Sequence, residues 1–198
     1  MNDKKEKDYI VGINCETDGK KSEEKKQSRH LSIRDIALIG AMVAVIEVCK
    51  MVMAPLPNIE LTSFWVILFT LFFGWKMLFV IPVFILIEGC VYGFGLWWMM
   101  YLYAWPLLAL FAYINRKKEP LLFWSLTSAT FGLLFGAMCA IPYFFIGWVD
   151  GGIAAGLRTA FTWWVAGIPW DITHAIGNFV LMLALFRPMR RIMEKIRY

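Results

Sequence analysis

The chain has 198 residues, of which 60% are hydrophobic and only 18% charged, with a formal net charge of +5. Its mean hydropathy is +0.60, whereas a soluble domain is about a quarter charged and roughly half apolar. The apolar residues lie in long runs, without the single stripe that a soluble amphipathic helix buries. An ordinary soluble domain is therefore excluded, and a lipid bilayer is the natural solvent for such runs.

The first segment, residues 1–32, is polar and rich in lysine, with Lys4, Lys5, Lys7, Lys20, Lys21, Lys25 and Lys26 mixed with acids. It cannot bury enough apolar surface to fold alone, and it lacks the apolar core and small-residue cleavage site of a secretory signal. It reads as a disordered, solvated cytoplasmic tail.

A helix needs about 20 residues to cross a hydrocarbon core of about 30 Å. The first span is expected over 36–53 and stops at Ala54-Pro55-Leu56-Pro57. From 59 to 92 the chain is almost continuously apolar; one helix of that length would rise about 51 Å, too long for one crossing. Gly74-Trp75-Lys76 divides it into a short second span and a third over 77–92. Gly93-Phe94-Gly95 makes the next turn, and the fourth span runs over 96–114 to Asn115-Arg116-Lys117-Lys118-Glu119-Pro120. The fifth occupies 121–147 and the sixth 168–186, ending at Arg187-Pro188. Residues 150–167 between them are semi-apolar and are expected to form an amphipathic segment on the outer face.

The expected fold class is thus all-α: a polytopic membrane protein with six transmembrane helices over 33–191 and a short cytoplasmic tail over 192–198. Orientation follows from the excess of Lys and Arg in cytoplasmic loops. Lys76, Arg116, Lys117, Lys118, Arg187, Arg190, Arg191 and Lys195 all fall on the side of the tail, while the opposite loops contribute only Arg158. Both termini are expected in the cytoplasm, and the protein in the cell membrane.

No catalytic constellation emerges. There is no GxxxxGK[ST] loop, no HExxH and no GxSxG, so no enzyme activity and no catalytic residue are expected. Cys15, Cys49, Cys90 and Cys139 are scattered without metal-ligand spacing, and neither a disulfide nor a metal is expected. Active transport would need an ion gradient or a partner subunit.

What stands out is polar groups at membrane depth, which cost about 2.5–3.5 kcal/mol each to insert when charged and so default to functional candidates. Glu47 and Lys50 sit three apart on the first span and share a face, either as a self-contained ion pair or facing a ligand. Glu88 and Tyr92 end the third span. Asp171, His174 and Asn178 form one stripe on the sixth, and Asn58 and Glu60 occupy the first outer loop. Trp65, Trp97, Trp98, Trp148, Trp163, Trp164 and Trp170 gather toward the outer side, against Trp75 and Trp124 near the inner. That asymmetry fits either an aromatic-lined pocket or a thick interfacial belt. On the first span Ala37, Gly40, Ala41 and Ala44 recur at the spacing that lets another helix approach closely in lipid. Gly132 and Gly136 do the same on the fifth.

The Ala37-xxx-Ala41 motif on the first of six short spans resembles that of the substrate-binding (S) components of energy-coupling factor (ECF) transporters. Leu56-Pro57-Asn58-Ile59-Glu60 leading into Phe64-Trp65-Val66-Ile67-Leu68-Phe69-Thr70 is similar to their first outer loop and second span. Gly167-Ile168-Pro169-Trp170-Asp171-Ile172-Thr173-His174-Ala175-Ile176-Gly177-Asn178-Phe179 is similar to the entry into their last span. The likeness covers residues 33–191; the long charged tail departs from it.

The resemblance implies a high-affinity binding subunit for a vitamin or related micronutrient. A transmembrane coupling subunit would dock on Ala37, Gly40, Ala41 and Ala44, and two cytoplasmic ATPases would use ATP, so this chain would need no cofactor of its own. The ligand would sit at the outer end, held by Asn58, Glu60, Glu88, Tyr92, Trp98, Tyr101, Trp164, Asp171, His174 and Asn178. The expected partners are that module, the small ligand and the bilayer, with no nucleic acid. The competing expectation is a small ion-coupled secondary transporter using intramembrane Glu88 and Asp171.

Overall fold

The computed structural model describes residues 31–196, and every regular element in it is helical. Four helical stretches are long and apolar enough to cross a membrane: Ile33–Met53, Thr62–Tyr92, Leu96–Ile114 and Leu121–Lys195. Their outer surfaces agree with a lipid setting. Leu78 and Val91 on the second stretch, Leu110 and Ile114 on the third, and Val149 and Phe161 on the fourth all stand exposed. A water-soluble monomer rarely leaves so much contiguous apolar surface uncovered. The expected tail over 1–30 lies outside the described residues.

Helix α1 (Ile33–Met53) starts at a capping box that the sequence reading passed over. Ser32 Oγ accepts from the Asp35 N–H at 3.1 Å, and the Ser32 N–H donates to Asp35 Oδ2 at 3.0 Å. The reciprocal pair satisfies two backbone donors at the helix end and moves the start to Ile33, ahead of the expected 36. Ile39, Met42, Val43 and Ile46 form the buried stripe of α1.

Helix α2 (Thr62–Phe73) is short, at 12 residues. From Thr62 to Thr70 every residue except Trp65 is buried, so α2 forms the centre of the bundle, packed by α4 and the last helices. Its rise of about 18 Å covers little more than half a hydrocarbon core. A 3₁₀ turn at Gly74–Lys76 links it to α3 (Met77–Tyr92). Gly74 has φ +54°, and its N–H closes the end of α2 on the Thr70 carbonyl. A side chain there would be strained, which explains why the chain reverses at this glycine.

Helix α4 (Leu96–Ile114) follows Gly93–Gly95 and ends at Asn115. The last stretch, Leu121–Ile196, is a helical hairpin broken only at Gly151 and Gly152, the latter with φ +77°. We label its arms α5 (residues 121–150) and α6 (residues 153–196). This corrects the expectation of a separate amphipathic segment over 150–167: those residues open α6 and pack back on α5. Tyr143 stacks on Trp163 with centroids 4.5 Å apart. A Cβ built on Gly156 would lie 2.7 Å from the Phe144 carbonyl oxygen, and one on Gly147 would lie 2.5 Å from Thr159 Oγ1. Glycines at the crossing therefore let the arms approach closely along their length.

The two ends of the bundle differ in charge. At one end Arg190 pairs with Glu119 at 3.3 Å and with Glu194 at 2.9 Å. Arg116 lies over the Tyr113 ring at 4.4 Å, and Lys118 over Phe123 at 4.4 Å. The opposite end carries the loop 54–61 and a polar cavity.

Candidate functional site

The cavity exists because α2 begins late. Above its first residue, Thr62, the space between α1, α3, α4 and the α5–α6 hairpin is filled by no helix, only by the loop 54–61, in which Asn58 takes φ +56°. The cavity is open on one side, with a volume of about 370 Å³, at the small end of the range for ligand sites. That size suits a small ring compound better than a macrocycle such as a corrinoid.

Five segments supply the polar lining. Lys50 comes from the end of α1, Asn58 and Glu60 from the loop, Glu88 and Tyr92 from the end of α3, Trp97 and Tyr101 from the start of α4, and His174 from α6. Lys50 Nζ donates to Glu88 Oε2, and to the Tyr101 hydroxyl at 3.0 Å. The same ammonium lies 4.8 Å from the Tyr101 ring centroid and 5.7 Å from those of Tyr92 and Phe84. The Lys50 charge is thus held by one carboxylate and three aromatic faces. The ion-pair partner of Lys50 is Glu88, 38 residues away, while Lys50 also lines the cavity. Glu47 lies close enough to both Glu88 and Lys50 to interact electrostatically, and its Oε1 is buried without a hydrogen bond among the described residues.

On the other wall Glu60 Oε2 accepts from the Thr62 hydroxyl at 3.1 Å. Its Oε1 stands 3.7 Å from His174 Nε2, too far for a direct hydrogen bond. The His174 ring meets Phe135 edge-on with centroids 5.0 Å apart. Among the described residues two buried polar atoms of the lining, Glu88 Oε1 and His174 Nε2, have no hydrogen-bond partner, although the Glu47 carboxyl lies beside Glu88. Buried polar groups are normally satisfied, which makes His174 Nε2 the clearer contact point for a bound molecule.

No protein-family model, curated protein or solved structure matches the chain.

Of the ten side chains expected around a ligand, Asn58, Glu60, Glu88, Tyr92, Tyr101 and His174 line this one cavity. The other four are placed elsewhere, each for a packing reason. The Trp98 indole N–H donates to the Ile85 carbonyl at 2.8 Å, on the flank where α4 meets α3. Trp164 lies ten residues before His174 on α6, edge-on to Phe161. Asp171 accepts from the Gly136 N–H at 2.9 Å in the seam between α5 and α6. Asn178 ties three helices together, donating to Ser63 Oγ at 3.2 Å and to the Ser128 carbonyl at 3.1 Å. Trp97, one of the outer tryptophans but not one of the ten, also lines the cavity, as does Phe135, whose ring in an apolar run carries no local signal of a site.

The small residues of α1 lie apart from this site. Gly40, Ala41 and Ala44 are exposed on the bundle's outside, and a Cβ on Gly40 would meet nothing within 4 Å. Ala37, one turn earlier, is exposed as well. Among the described residues no group of three or more His, Cys, Asp or Glu side chains is placed to hold a metal ion.

Proposed function

We propose that the chain is a six-span membrane protein with both termini in the cytoplasm that captures a small nutrient at its outer face. In this reading it is the substrate-binding component of an ECF-type transporter, energised by a separate coupling subunit with two ATPases. The observation that carries the reading is the polar cavity beside loop 54–61, with buried Glu88 and His174 in its lining, set at the end of the bundle opposite Arg116, Lys118 and Arg190. The positive-inside rule puts those basic residues in the cytoplasm, and hence the cavity at the outer side. The loop 54–61 is then the element that would close over the ligand. The outward face of Gly40, Ala41 and Ala44 supports the second half of the reading, because a helix of another subunit can approach closely there.

The test is affinity purification of the tagged full-length chain from gently solubilised membranes, with mass spectrometry of proteins and small molecules. The expected result is a membrane coupling subunit and two ATPases. Ala41→Trp should abolish their recovery and leave the melting temperature of the isolated chain unchanged, since Ala41 faces outward. A chain that purifies without any ATPase would sink the reading. The rival, an ion-coupled carrier using Glu88 and Asp171, gains less support, because Asp171 lies outside the cavity that Glu88 lines. It predicts uptake that needs no ATP and collapses with an uncoupler.

A further inference from the structure

The ligand's chemistry can be argued from the charge and geometry of the lining, on the premise that the chain is a binding subunit. The cavity is lined by one cation, Lys50, and two carboxylates, Glu60 and Glu88. Glu47, half-buried beside Glu88, adds a third carboxyl next to the lining, so carboxyls outnumber the one ammonium. An uncompensated charge is costly away from water, and once the loop closes over a ligand little water is left to offset it. Lys50 cannot supply the difference, because its ammonium is already engaged by Glu88 Oε2 and the Tyr101 hydroxyl. What remains unsatisfied is acceptor capacity. Among the described residues Glu60 Oε1 has no hydrogen-bond partner, His174 Nε2 standing 3.7 Å away, and Glu88 Oε1, on a side chain only 1% exposed, has only the Glu47 carboxyl beside it. His174 Nε2, on a residue only 4% exposed, is also unbonded there and can accept or donate according to its tautomer. Aromatic rings flank these acceptors, with Trp97 edge-on to Tyr101 at 5.4 Å and Tyr92 on the same rim.

We infer that the cavity takes a small organic cation: a ring that lies against the aromatic rim, bearing a protonated nitrogen whose N–H groups donate to Glu88 Oε1 and Glu60 Oε1. A carboxylate or phosphate in the same place would add negative charge to a lining that is already negative. It would also leave both glutamate oxygens without donors. A neutral ring would satisfy one acceptor and leave the charge uncompensated.

Three probes of one skeleton separate these cases: phenethylamine, 2-phenylethanol and 3-phenylpropanoate. Each is titrated at pH 7 into the purified full-length chain in mild detergent, with intrinsic tryptophan fluorescence as the signal and Trp97→Phe as the control for its origin. The expected result is saturable binding of phenethylamine at least tenfold tighter than the alcohol, about 1.4 kcal/mol, and no saturation by the propanoate. Glu60→Gln should shrink the amine's advantage over the alcohol severalfold. That variant leaves the Lys50–Glu88 pair intact, and the Gln side-chain oxygen can still accept from the Thr62 hydroxyl. Glu88→Gln, if it folds, should do the same. Equal binding of amine and alcohol, a preference for the propanoate, or saturation by none of the three would overturn the assignment. The two readings fail separately. Recovery of the ATPase module with a failed probe series would sink the cation alone, whereas selective amine binding with no module would sink the transporter.

Discussion

Replacing Lys50 by Met tests the geometry of the cavity most directly. Met keeps the unbranched stem of lysine and removes the ammonium, leaving Glu88, whose side chain is 1% exposed, without its ion-pair partner. Breaking one side of a buried pair costs about 3–5 kcal/mol. Lys50 itself is 20% exposed, so we expect the lower figure, about 3 kcal/mol. For a chain of this size that corresponds to about 6–12 °C in Tm. Replacing both residues, Lys50→Met with Glu88→Met, removes the charge that would be stranded and should restore most of the loss. Glu47→Gln separates the two possible pairings. Glu47 is not bonded to Lys50 and lies beside Glu88, so neutralising it should cost nothing or raise Tm slightly. The assay is thermal unfolding in detergent, read by intrinsic fluorescence as Trp105 and Trp124, fully buried in the fold, become exposed. A Lys50→Met chain as stable as the parent would refute the pairing. So would a double variant no better than the single, or a loss in Glu47→Gln equal to that in Lys50→Met.

Further substitutions probe the rest of the fold. Gly136→Ala places a Cβ 2.2 Å from Asp171 Oδ2 and should cost about 3 kcal/mol from overpacking and a weakened charge-assisted hydrogen bond; adding Asp171→Ala should recover part of it in the same melt. Asn178→Leu leaves Ser63 and Ser128 short of a donor and should lower stability by about 1–3 kcal/mol. Gly74→Ala forces an alanine into φ +54° and should cost about 1–2 kcal/mol, without changing the affinity for any cavity ligand. Trp98→Phe removes the bond to the Ile85 carbonyl, a loss of about 1 kcal/mol, and should leave the amine-to-alcohol binding ratio unchanged.

The helix ends legible in the sequence were those written in turn chemistry. Pro55 and Pro57, Gly74, Gly93 and Gly95, and the stretch from Asn115 to Pro120 each end a helix where expected. The hairpin apex was not legible. Gly151-Gly152 is as strong a punctuation, but the semi-apolar residues after it suit an interfacial helix and a lipid-embedded arm equally well. Only the contacts of Tyr143 with Trp163 and of Gly156 with Phe144 decide between them. In the site, Glu60, Glu88 and His174 could be singled out because polar groups in apolar runs are costly. The same rule selected Asp171 and Asn178, whose cost is offset by Gly136, Ser63 and Ser128 on other segments, and no spacing along one helix shows that. Lys50 illustrates the opposite error. Its spacing of three from Glu47 invites a local pair, and the true partner lies on α3.

The shortness of α2 has a consequence for how such a chain can diversify. Its buried residues hold the lower half of the bundle together, whereas the cavity is built from helix ends and one loop above it. Recognition and architecture thus occupy different storeys. Exchanging Asn58, Tyr92 or Trp97 would re-specify the guest while leaving the core of α2 in place, and Glu60 meets that core only at the Thr62 hydroxyl. A lineage could pass through many ligands on one unchanged foundation, and a designer could reshape the upper storey without rebuilding the lower.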